Sequence, residues 1–216
     1  MSYIQIELPD SLPINIIAVV REVIDPLFEE FHFLLTVRRP DQGPKGSFQR
    51  MQAIVLVALA DGAAQFFWPV PKLNQGDRFK AFLKQYYPWD ADKPEGLTQD
   101  DAVNFLWNDV RCAMLHRYGV RHGADRLLKF GNMFGLSENE VEEVERAQER
   151  PHSEPFLQRN EERTVLWIEN FYWGLRQAIQ RVINEKPEYL IKIDQWIVDG
   201  KFDQKKKSNV IATNGR

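Results

Sequence analysis

Between Ser47 and Phe67 the chain runs through Ile54, Val55, Leu56, Val57, Ala58 and Leu59 without a break. A helix over this stretch is apolar nearly all round, and such a helix is usually central in its bundle. Ser47 stands where a cap is needed, and Pro69 and Pro71 end the run. The apolar core of the stretch, Ala53 to Ala60, is far too short to span a bilayer. The remaining elements must therefore wrap around this helix.

Their patterning is mostly helical. Ile14 to Arg39 places Ile17, Val20, Ile24, Leu27, Phe28, Phe31 and Leu34 at helical spacing, and Pro26 either kinks that helix or starts a second one. Pro40 to Gly46 is a loop. Asp77 to Tyr87 carries the stripe Phe79, Phe82, Leu83 and Tyr86, and Tyr87-Pro88 stops it. Thr98 with Asp101 resembles a capping box for a helix from about Gln99 to Tyr118. Ser137 with Glu140 caps a short acidic helix to about Arg150. The longest helix is expected from about Arg159 to Glu185, with Val165, Ile168, Tyr172, Leu175, Ile179 and Val182 as its stripe. A last helix spans Glu188 to Val198. Ser2 to Leu8 alternates like a short edge strand, and Leu127 to Phe134 reads as a short strand or hairpin.

These elements give a mainly α helical bundle with at most a short β-strand or hairpin. One domain, residues 1–202, precedes a flexible basic tail, 203–216, opened by Lys205-Lys206-Lys207. The one cysteine, Cys112, excludes an internal disulfide. With no charged-then-apolar leader, it points to a cytoplasmic protein. No Gly-rich phosphate loop and no zinc-type spacing of Cys and His occurs. No cofactor and no metal is expected.

The formal net charge of -3 argues against a protein coated in positive charge for nucleic acid. It leaves room for a local basic groove. Arg111, Arg117, Arg121, Arg126 and Lys129, with His116 and His122 among them, face only Asp125, whereas Glu138 to Glu162 is rich in Glu. An ordinary solvated surface explains this asymmetry as well as an anionic partner does.

Within the helix from Gln99, Val103, Leu106, Val110 and Met114 fall on one side at about 100° per residue. Arg111 and His116 then lie about 140° apart, with Asn108, Cys112 and Leu115 between them and Phe105 nearby. This mixed face is covered either by a second subunit or by other helices of the same chain. Histidine titrates near neutral pH and arginine grips phosphate oxygens in a fixed fork, so the pair suits metal-free RNA cleavage. The plain alternative is a partly buried histidine and a surface arginine.

Phe79-x-x-Phe82-Leu83-x-x-Tyr86-Tyr87-Pro88, a polar loop, and a helix ending Val110-Arg111-Cys112-Ala113-Met114-Leu115-His116 together resemble the HEPN superfamily. The likeness covers roughly residues 78 to 119, with the motif-bearing core at about 14–186. It implies a helical bundle acting as a homodimer, with Arg111 and His116 lining a cleft between subunits. It further implies a metal-independent endoribonuclease that leaves 2′,3′-cyclic phosphate and 5′-OH ends on single-stranded RNA. In that scheme His116 takes the ribose 2′-OH proton, and His116 of the partner subunit protonates the leaving oxygen. Arg111 stabilises the charge at phosphorus, Arg117 and Arg121 position the backbone, and Asn108 orients Arg111, contacts substrate, or is a plain surface amide. The pair is expected to share a pocket open enough for a phosphodiester. Active members commonly carry a polar residue, often Asn, after the arginine; here it is Cys112. Non-catalytic members also exist, so the alternative is a HEPN-like dimer that binds RNA, a nucleotide or an antitoxin-like protein in a toxin–antitoxin or defence system. No membrane is implied.

Overall fold

The computed structural model describes residues 4–37, 49–67, 73–112, 127–131, 138–146, 151, 153–160, 163–185 and 187–199. Its elements in chain order are α1 (Ile14–Val19), a π-helical turn (Val20–Ile24), α2 (Asp25–Thr36), α3 (Gln49–Phe67), α4 (Gln75–Tyr86), α5 (Gln99–Phe105), a π-helical segment (Leu106–Cys112), β1 (Leu127–Gly131), α6 (Glu138–Arg146), β2 (Leu157–Arg159), β3 (Arg163–Trp167), α7 (Ile168–Glu185) and α8 (Pro187–Val198). The protein is a mainly α-helical bundle.

Helix α3 is central, as its composition requires. It packs against α2, α4, α7, α8, the π-helical segment and β1. Ala53, Leu56, Val57, Ala60, Ala63, Ala64 and Phe67 are fully buried. Met51, Ala58 and Gly62 form a narrow line open to solvent. The small side chains at positions 53, 60, 63 and 64 let neighbouring helices approach closely, which is what a central helix needs to reach interior packing density.

Helices α1 and α2 are joined through the π-helical turn, not by a break. The Asp25 amide reaches back five residues to the Val20 carbonyl. Pro26 follows at once, where an α-helix would need an amide that proline lacks. The wider turn absorbs the proline and keeps Ile16, Val20, Ile24, Phe28, Phe31 and Leu35 on one buried face.

Helix α4 starts at Asn74, whose side chain accepts the Asp77 amide at 2.9 Å, an ordinary N-cap. Its predicted stripe, Phe79, Phe82, Leu83 and Tyr86, is wholly buried. Tyr87 then packs closely on Gly174 of α7. A Cβ at position 174 would lie 2.3 Å from the Tyr87 ring, so only glycine admits it there. The Tyr87 hydroxyl donates to Asp92 at 2.6 Å, and Asp92 accepts the Phe156 amide at 2.8 Å.

The sheet is larger than the pattern suggested. Three strands run in the order β1-β3-β2. β1 is parallel to β3, pairing Leu128 with Thr164 and Phe130 with Leu166. β2 is antiparallel to β3, pairing Leu157 with Leu166. The helix expected from Arg159 therefore begins only at Ile168. Thr164 and Leu166 are buried while Val165 and Trp167 are half-buried, a period of two that overrides the helical spacing of Val165 and Ile168. Glu95 adds a bridge to β2, with Glu95 N donating to Leu157 O at 3.0 Å and Arg159 N to Glu95 O at 2.8 Å. Gly96 follows at φ +70°, and a Cβ there would meet the Arg159 carbonyl oxygen at 2.0 Å.

Residues 4–8, expected as an edge strand, pair with no strand among the described residues. They lie against α2, α6 and α7, with main-chain amides bonded to Asp25, Glu145 and Gln180. Of the basic tail, 203–216, nothing lies within the described residues. Among those residues, no helix is long and apolar enough to cross a membrane.

Candidate functional site

The motif helix begins as predicted. The Thr98 hydroxyl accepts the Asp101 amide at 3.1 Å and donates to the Asp101 carboxylate at 2.6 Å. That side-chain bond, more than any other influence, holds the Asp101 carboxyl below the usual carboxylate range. Past Phe105 the helix changes character. Leu106 to Cys112 are π-helical, a form that appears mostly as short stretches inside α-helices, often at functional sites.

The change of pitch decides where Arg111 goes. At 100° per residue Arg111 belongs on the mixed face, away from the core stripe. In π geometry the repeat is longer, so each residue turns through less than the α-helical angle and the faces predicted at 100° per residue shift. Leu106, Val110 and Arg111 are buried together. Asn108 stays exposed and Cys112 is half-buried. Asn108 and Arg111 therefore do not share a face. His116, Arg117 and Arg121 lie outside the described residues.

Arg111 is 9% exposed, and its guanidinium faces α3. Its Nε donates to Asp61 Oδ2 at 3.1 Å and its Nη2 to the same oxygen at 2.7 Å. The guanidinium carbon lies 4.6 Å from the centroid of the Trp107 ring, within range of a cation–π contact. Trp107 is itself held by Phe79, ring to ring at 5.3 Å, and by Gly76, where a Cβ would stand 2.8 Å from the indole. Asp61 is further satisfied by amides. Gln75 Nε2 donates to Oδ2 at 2.7 Å and Gln65 Nε2 to Oδ1 at 3.2 Å. Arg78 Nη1 donates to Gln65 Oε1 at 3.2 Å. The result is a buried Asp–Arg fork in a frame of two glutamines and an indole.

Chemically, this fork neutralises the positive charge nearest the motif. A phosphodiester approaching Arg111 competes with a carboxylate already in place and buried with it. Uncoupling such a pair leaves a buried charge without its counter-ion, which is strongly unfavourable. Arg111 is placed to fix the π-helical segment against α3.

Asp61 was not singled out from the sequence, though a signal existed. It is the one acid inside the apolar run of α3, and an acid in a buried helix needs a partner.

A second buried ionisable cluster also escaped sequence reading. Glu145 of α6 accepts His32 Nδ1 at 2.9 Å, the Tyr172 hydroxyl at 2.7 Å and the Ile4 amide at 3.1 Å. Arg176 Nη1 stands 3.9 Å away. Burial pushes the Glu145 carboxyl up. The bonds from His32 and Tyr172, the Arg176 charge and the Ile4 amide outweigh burial and bring it below the ordinary glutamate range. Neither cluster has metal-ligand character: among the described residues no group of three or more His, Cys, Asp or Glu side chains is arranged to hold a metal ion.

No family model, no curated protein and no solved structure matches the chain.

Proposed function

We propose that the chain is a HEPN-like bundle protein that binds single-stranded RNA as a homodimer without cutting it. The observation that carries this choice over a ribonuclease is the Asp61–Arg111 fork. A catalytic arginine acts through charge offered to the transition state; Arg111 has two donors committed to an internal carboxylate. Cys112 directly after it, where active members of the superfamily commonly carry a polar residue, points the same way. RNA is the favoured ligand because Arg117, Arg121, Arg126 and Lys129 cluster in an otherwise acidic chain. Arg117 and Arg121 contact the phosphate backbone, and Asn108, exposed one turn before Arg111, is available to the same ligand.

The test is incubation of the pure protein with end-labelled single-stranded RNA in EDTA, reading binding by anisotropy and cleavage on a gel. Salt-sensitive binding is expected, several-fold weaker in Arg117→Ala and Arg121→Ala, with intact RNA throughout and no effect of His116→Ala on cleavage. Scission to 2′,3′-cyclic phosphate ends that disappears in both Arg111→Ala and His116→Ala would replace this reading with the endoribonuclease. Absence of binding would remove RNA as the ligand.

A further inference from the structure

Residues 4–8 are held by an unusual set of bonds. Ile4 N donates to Glu145 Oε2 at 3.1 Å, and Arg176 Nη2 donates to Ile4 O at 2.8 Å. Ile6 N donates to Asp25 Oδ1 at 3.0 Å. Glu7 N donates to Gln180 Oε1 at 3.1 Å, while Gln180 Nε2 returns a bond to Glu7 O at 2.8 Å. Each of these bonds joins a side chain of the groove to the main chain of the strap. An extended peptide is more often captured along a sheet edge, where main chain meets main chain; here helix side chains do the same work. The strap's side chains contribute little beyond one anchor. Ile6 is 3% exposed, Ile4 and Leu8 are half-buried, and Gln5 and Glu7 point to solvent.

The groove's own side chains are positioned by contacts other than the strap. Glu145 is fixed by His32 and Tyr172. Asp25 is paired with Arg21 one turn earlier. The Arg176 guanidinium lies over the Phe28 and Tyr172 rings, 5.3 Å and 5.8 Å from their centroids. Gln180 Nε2 also bonds Asn184 Oδ1 at 3.2 Å. A site organised in this way loses little order on exchanging its occupant, and preorganisation favours binding.

We propose that the groove between α2, α6 and α7 is a binding site for extended peptide main chain, and that the strap of a second copy of this chain competes with residues 4–8 for it. The strap is tethered to α1 by a turn bracketed by Pro9 and Pro13, in which Leu12 N bonds Pro9 O at 3.1 Å and Leu12 is buried. A strap from another copy makes the same bonds and fills the same Ile6 pocket. Occupancy within and between copies then differs only in the tether, whose effective concentration is on the order of millimolar for a short link. Exchange of an identical element is a low-cost route to a dimer. This inference uses none of the motif residues and stands whether or not RNA is bound.

The test uses the full chain with Cys112→Ser, Glu7→Cys and Gln180→Cys. Oxidation of a dilute sample is expected to give an internal cross-link. A sample oxidised while held near millimolar concentration is expected to give covalent dimers, suppressed by excess synthetic peptide of residues 1–9. In a second measurement, that peptide carrying a fluorophore is titrated with the unsubstituted protein. Saturable binding is expected, weakened several-fold by Gln180→Ala. Internal cross-links alone at every concentration, dimers indifferent to the peptide, or a peptide that does not bind would each overturn the proposal.

Discussion

The two buried ionisable clusters differ in what they join. Glu145 draws its partners from the strap, α2 and α7, segments far apart in the chain. Asp61 and Arg111 join one central helix to the π-helical segment beside it, with amides from Gln65 and Gln75 completing the carboxylate. Glu145 therefore acts as a junction of the whole fold, whereas the Asp61–Arg111 fork sets one local register. The residue that looks most catalytic by motif sits in the simpler of the two, and the richer cluster has no motif at all. Arrays of ionisable groups report on assembly as readily as on chemistry.

The sharpest way to break this contrast is Glu145→Ala. It strips bonds from His32, Tyr172 and the Ile4 amide at once and removes the carboxylate 3.9 Å from Arg176. The expected loss is roughly 3–5 kcal/mol, as for breaking a buried ion pair, read as a lower urea midpoint. A loss under about 1 kcal/mol would mean that the junction is not structural.

Arg111→Met should cost less, about 1.5–3 kcal/mol, the scale of hydrogen bonds to a charged group, because Gln65 and Gln75 still solvate Asp61. Asp61→Asn in the same chain should recover part of that loss, giving a coupling of about 1–2 kcal/mol in a double-mutant cycle. Additive effects would show that the fork is not a functional unit.

The smallest effect is with acid. The folded Glu145 carboxyl lies below its ordinary range. Its stabilisation is therefore complete above the ordinary glutamate value and is lost as pH falls through the depressed folded value. The urea midpoint should drop in that acid window, and the drop should shrink in Glu145→Gln. Equal acid sensitivity in both proteins would assign the titration to other groups.

Much of the helical frame was legible because one-dimensional periodicity reports burial. Phe79, Phe82, Leu83 and Tyr86 form a complete turn-by-turn stripe, and all four are buried. The capping box at Thr98 was readable because its bonds are local. What pattern missed depends on partners distant in sequence. Val165 belongs at once to a helical spacing and to a strand, and only pairing with β1 and β2 decides between them. The alternation read over Ser2 to Leu8 as an edge strand is matched within residues 4–8 only by alternating burial, Ile6 inside and Gln5 and Glu7 exposed, and the bonds there go to side chains. Asp61 was visible as an acid in an apolar helix, but its counter-ion lies 50 positions away. Of the two covers expected for the face of Arg111, a second subunit or other helices of the same chain, α3 supplies the second; the π-helical stretch itself was not legible, because no simple periodicity announces one.

The π-helical stretch has one more consequence. In a stretch of that kind the number of residues matters more than their identity. Removing a single position between Leu106 and Arg111 would leave every named side chain chemically unchanged, yet would turn the guanidinium around the helix axis by one residue's rotation. Asp61 would lose its counter-ion without any charge having been altered. The spacing inside Leu106–Cys112 is thus itself a structural element, as exacting as a glycine under an aromatic ring.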